Sequence, residues 1–194
     1  MLSLPRTGDR NRRGHGIPVR SILPYPDAVT DLATAHGQGS YQVRFDWGAA
    51  GATAIADGAH LVVWVDQLTS AGGASELMPV LGGTPGGVEL MPATLEEAEE
   101  VASAALRRQT ELGGRCVIAV VAAGAARADG SLRFAVEDLL AAGAIVDALA
   151  DVGIDHQSPE AAAAASAYAG LKNATRHLIS ASASSRERRE SSGA

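Results

Sequence analysis

The sequence predicts an α/β fold of three layers, α/β/α, around a mostly parallel or mixed sheet, and three observations predict it. The runs His60–Val65 and Cys116–Val121 are almost wholly apolar, as strands buried on both faces must be. Stretches of helical period, rich in alanine and leucine, lie between and after them. Strand-like and helix-like segments alternate along the chain, which is the pattern of a sheet layered with helices.

Composition sets the scale of that fold. With 194 residues, 46% of them hydrophobic but only 4% aromatic, the chain suits one domain whose core is made of small side chains packed closely. A formal net charge of −6 argues against nucleic acid or an anionic membrane as a partner, since both bind basic surfaces. No apolar run approaches the roughly 18–20 residues of a membrane span. The Arg-bearing N-terminus lacks the apolar stretch of a signal peptide, so a cytoplasmic location is expected. Self-association into a homo-oligomer is left open. The single cysteine, Cys116, sits inside an apolar run, which points to an inert buried thiol and excludes a disulfide framework or a cysteine-based zinc cluster.

Along the chain, residues 1–40 are rich in Arg, Gly, Pro and Asp without a sustained period and read as a flexible arm. A single domain is expected over 41–180. It opens with the alternating strand Tyr41–Phe45, followed by a short helix of small residues at Ala49–Ala56 and the buried strand ending at Val65. Gln67 to Pro92 is Gly-rich and reads as a long loop. Thr94-Leu95-Glu96-Glu97 is a capping box that starts a helix, and Gly113-Gly114 stops it. After the second buried strand come a loop over 124–130 and a helix from about Phe134 to Ala150. Ser158-Pro159-Glu160 then begins another helix. His177-Leu178-Ile179 reads as a last short strand, and 181–194 as a flexible tail.

Asp66 is the most informative single residue. A carboxylate just past a buried parallel strand faces the crevice where α/β proteins bind ligands, and it suits a hard cation such as Mg²⁺; the alternative is an aspartate that caps the following turn. Glu137 and Asp138 are adjacent near a helix start, so they point about 100° apart and are not a ready-made chelating pair on one face; favourable placement at the positive end of the helix is by itself the better explanation of them. The five histidines show no metal-ligand spacing. No G-x-x-x-x-G-K-S/T loop, G-x-S-x-G elbow or G-x-G-x-x-G turn is present, which weakens nucleotide-loop and serine-hydrolase readings.

The run Phe134-Ala135-Val136-Glu137-Asp138-Leu139-Leu140-Ala141-Ala142-Gly143 resembles the signature segment of the 2-phosphosulfolactate phosphatase family. Cys116–Gly124 is similar to the strand before it, and Ser158-Pro159-Glu160-Ala161 with Tyr168 to the helix after it. Tyr41–Gly48 followed by Val62–Asp66 is similar to the opening of actinobacterial members. The resemblance implies a Mg²⁺-dependent phosphatase that hydrolyses 2-phospho-3-sulfolactate, or a related small phosphoacid, on a coenzyme M route. It implies a site made of Asp66, Glu137 and Asp138, with Asp66 and Glu137 at the metal and Arg186 near the substrate. The family's Asn-Gly-Thr element and its C-terminal Gly-x-x-x-Asp extension have no counterpart here. The chain therefore reads as a shortened member, and the alternative is a non-catalytic homologue that binds a ligand or a protein.

Overall fold

The computed structural model describes residues 35–68 and 88–193. The expected arm lies outside them up to position 34, as does most of the Gly-rich stretch. In chain order the elements are β1 (Val43–Trp47), α1 (Gly48–Ile55), β2 (Leu61–Val65), β3 (Glu89–Ala93), α2 (Ala98–Leu112) and β4 (Ile118–Ala122). Two short strands follow, β5 (Ala125–Ala126) and β6 (Leu132–Arg133), and then α3 (Val136–Asp151), α4 (Pro159–Leu171), α5 (Thr175–Ala181) and α6 (Ala183–Ser191).

β1, β4, β2 and β3 form a sheet in that order, and every pairing in it is parallel. The two apolar runs are its centre: β2 and β4 are buried along their whole length. α1 covers one face, where Ala52 and Ile55 pack on Val62, Trp64, Ala119 and Val121. α2, α3 and α4 cover the other, where Val101, Ile145 and Ala161 join a core with Val43, Val63 and Val120. The three-layer α/β fold predicted from the sequence is the one observed. β5 and β6 form a separate antiparallel ribbon. Among the described residues no helix is long and apolar enough to cross a membrane.

The end of the expected arm is part of the fold. The Gln38 side-chain amide donates to the Phe45 carbonyl at 2.8 Å and accepts from the Phe45 N–H at 3.0 Å, imitating a neighbouring strand along the free side of β1. Farther back on that side, Ser158 N–H donates to the Val43 carbonyl at 2.8 Å and Val43 N–H to the His156 carbonyl at 3.0 Å. An edge that would otherwise offer unpaired backbone groups is closed in this way. Arg44, only 5% exposed, donates to the carbonyls of Ile55 (2.9 Å) and Asp57 (2.6 Å) and so ties the end of α1 to β1. Burial holds its guanidinium below the usual pKa, with the Asp57 charge opposing that shift.

The capping signals hold. Thr94 Oγ1 accepts from Glu96 N–H at 3.3 Å while the Glu97 carboxylate accepts from Thr94 N–H at 2.7 Å, and a turn of 3₁₀ helix (Leu95–Glu97) leads into α2. Ser158 Oγ accepts from Ala161 N–H at 3.1 Å at the start of α4. Cys116 is fully buried, and burial pushes its thiol pKa up to about 11, so the thiolate is suppressed.

Three expectations are corrected. The stretch read as one loop contains β3 at its end, a strand with Pro92 in it that pairs with β2. His177-Leu178-Ile179 lies inside α5, because its Ala- and Ser-rich surroundings continue the helix. The expected tail carries α6 as far as Ser191, started by Ser182 Oγ accepting from Ser185 N–H at 3.2 Å.

The small-residue core is most evident where α3 meets α4. A Cβ added at Gly143 would stand 2.3 Å from the Ala164 carbonyl oxygen and 2.8 Å from Tyr168 Cβ, so the two backbones approach as closely as they do only because no side chain intervenes. Gly143→Ala is expected to lower unfolding free energy by about 1–3 kcal/mol, seen as a lower urea midpoint. Gly170→Ala, where nothing lies within 4 Å, is expected to raise it by up to about 1 kcal/mol through helix propensity. A stabilising effect at Gly143 would contradict the packing described.

Candidate active site

The candidate site is built where the sheet ladder ends. β2 and β4 run in register, Val65 beside Ala122, and the Ala123 N–H to Val65 carbonyl bond at 2.8 Å is the last between them. One residue farther, the strands part around a side chain. Asp138, in the first turn of α3, accepts from Gln67 N–H on one oxygen and from Gly124 N–H on the other, both at 2.9 Å. Gln67 and Gly124 are each the second residue past their strand, so one carboxylate clamps equivalent points on the two central strands. Gly124 has a left-handed φ of 70°, and a Cβ there would meet the Arg133 carbonyl oxygen at 3.0 Å, so glycine is what lets this N–H be presented.

Glu137 and Asp138 are each 3% exposed, and with Asp66 they line a cleft of about 590 Å³ at the carboxyl ends of the strands. The structure thus brings together the three carboxylates that the resemblance singled out. Glu137 has no hydrogen-bond or ion-pair partner among the described residues. The other lining residues include Gly124 and, from α6, Ser184, Glu187 and Arg188. Arg186 is on the same helix but does not line the cleft; Arg188 does, and sequence reasoning did not single it out. The run Arg186-Glu187-Arg188-Arg189 offers three arginines, and only the phase of the helix separates them.

Gln67 extends the clamp toward β3. Its side chain accepts from Leu95 N–H at 2.7 Å and donates to Glu96 at 3.1 Å. The bonds from Gln67 and then Thr94 hold the Glu96 carboxyl below its usual pKa. Asp138 is shifted the other way. Its burial, reinforced by the charges of Asp66 and Glu137, outweighs the two N–H bonds and raises its pKa to about 7.

Magnesium is the ion that the resemblance implies. Among the described residues no group of three or more His, Cys, Asp or Glu side chains is arranged to hold a metal ion, and both oxygens of Asp138 accept backbone N–H groups. A closed protein cage is therefore not what the described residues make. Asp66 and Glu137 are hard oxygen donors, and they fit the mode in which Mg²⁺ takes one or two carboxylates and fills its other positions with water and substrate phosphate.

No family model matches the chain, and neither curated proteins nor solved structures give a match.

The raised pKa of Asp138 has a consequence for stability. The folded chain keeps a proton up to about pH 7 that the unfolded chain, with an ordinary carboxyl near 3.9, releases earlier. This group's contribution is present below the unfolded value and is lost as pH rises through about 7. Chemical denaturation from pH 4 to 8 is expected to show a smaller decline in stability for Asp138→Asn than for the wild type. An identical decline would show that Asp138 does not titrate there.

Proposed function

We propose that the protein is a Mg²⁺-dependent phosphomonoesterase acting on a small phosphoacid of the 2-phospho-3-sulfolactate type. The observation that carries this reading is the meeting of Asp66, Glu137 and Asp138 in one cleft at the carboxyl ends of β2 and β4, with Glu137 buried and without a partner among the described residues. The resemblance of the Glu137-Asp138 segment to that phosphatase family supplies the substrate class.

Asp66 and Glu137 would hold the ion, and the chemistry it would supply is neutralisation of phosphoryl charge. Asp138 acts as a positioning residue: with both oxygens committed to the strand ends, it fixes the start of α3 and with it the placement of Glu137. The buried strands behind the cleft exclude water from one side. A second reading, a non-catalytic homologue that binds a ligand or a protein, is favoured by the lack of a three-ligand group among the described residues.

Phosphate release separates the two. Asp66→Ala and Glu137→Gln are each expected to lower kcat/KM on a phosphomonoester by on the order of 10²-fold, with thermal stability preserved. Wild-type rates in both variants would contradict the assignment. The binding reading expects no turnover in any variant, with a ligand-dependent rise in Tm.

A further inference from the structure

One wall of the cleft is α6, a helix that buries none of its own residues. Side-chain bonds tie it to the rest of the chain through the Arg133–Glu187 ion pair at 2.9 Å, through Arg188 to the Leu68 carbonyl, and through Arg189 to the Ser180 carbonyl at 3.1 Å. The ion pair is solvent-exposed, and such pairs add little to stability. The bonds that tie α6 over the cleft are thus polar and made by exposed side chains.

Arg188 is the one cationic side chain among the described residues that line this cleft, in company with Asp66, Glu137, Asp138 and Glu187. It forms no ion pair with any described carboxylate; its guanidinium donates instead to a neutral backbone carbonyl, that of Leu68. A guanidinium has five N–H donors in a planar fork that matches phosphate, and a bond to a charged oxyanion is stronger than one to a neutral carbonyl. Arg186 is two residues back, about 200° around the helix, and does not line the cleft. A cleft of carboxylates repels a phosphoacid, so a cation within it is what an anionic substrate needs on entry.

We infer that Arg188, rather than Arg186, receives the anionic group of the substrate, exchanging its bond to the Leu68 carbonyl for a paired bond to phosphate oxygens. The identity of that anion as a phosphomonoester rests on the proposed function; the placement of the cation does not. α6 is then the carrier of a substrate-binding side chain and not a passive tail.

The test is isothermal titration of inorganic phosphate into the full chain in MgCl₂. Arg188→Ala is expected to weaken phosphate binding about tenfold or more, Arg188→Lys to recover part of it by restoring charge without the fork, and Arg186→Ala to lose less than Arg188→Ala. Arg107→Ala, on the exposed surface of α2, controls for net charge and is expected to bind as the wild type. All three side chains are exposed, so matched melting temperatures are expected for the four variants.

Wild-type affinity in Arg188→Ala, an equal or larger loss in Arg186→Ala, or no phosphate binding by the wild type would each overturn the inference. Parallel turnover assays separate it from the reading on which it rests. Turnover with phosphate affinity unchanged in Arg188→Ala overturns the inference and leaves the phosphatase standing. Arg188-dependent phosphate binding without turnover supports the inference and removes the phosphatase.

Discussion

The Asp138 carboxylate stands between the two central strands at the point where their ladder ends, and each of its oxygens takes one N–H that the other strand no longer pairs. Two parallel strands diverging at their carboxyl ends leave backbone donors without partners, and an unpaired buried donor costs about as much as a lost hydrogen bond. Asp138 satisfies both donors at once. In doing so it fastens the first turn of α3 to the sheet, fixes the mouth of the cleft and sets the neighbouring Glu137 at its wall. The arrangement has a cost: a carboxylate is buried beside two others, and its raised pKa records the penalty. Local conflict of this kind, kept in a fold whose other segments agree with their sequence, is characteristic of functional sites.

The sheet behind the clamp is packed on both faces. β2 and β4 are buried throughout, with alanine and valine on β4 and valine and tryptophan on β2. α3 and α4 approach each other across Gly143 and Ala164. The low aromatic content that limits core volume thus favours close layers. The outer strand β1 is secured by polar means, the Gln38 amide on its free side and the Arg44 guanidinium reaching the end of α1. These bonds, across 7 and 11 residues, are made by residues that a composition-based reading assigns to an arm or a solvent face.

The apolar runs and caps made the layers legible in the sequence, because burial on both faces and a side chain accepting a first-turn N–H are local requirements written in consecutive residues. Thr94 and Ser158 are instances. β3 was not legible, since Glu89-Leu90-Met91-Pro92-Ala93 has neither alternation nor a long apolar run and is a strand by virtue of pairing with β2. The short segment His177-Leu178-Ile179 suggested a strand for the opposite reason: its local pattern was brief, and the helical context decided. The clamp was out of reach of local reading. The partners of Asp138 are backbone N–H groups 71 and 14 residues away, and backbone donors leave no mark in a sequence. That Glu137 and Asp138 would meet Asp66 came from the family resemblance and not from spacing. Arg188 escaped notice because three arginines crowd one short helix and only its rotation distinguishes them.

The account as a whole depends on whether the carboxylate cleft performs phosphoryl chemistry, and the most direct measurement is the initial rate of phosphate release from 2-phospho-3-sulfolactate by the purified full chain across a MgCl₂ titration. The account predicts a rate that saturates in both metal and substrate and falls to background in EDTA. A rate that stays at background at every Mg²⁺ concentration, from a chain that melts cooperatively, would contradict it.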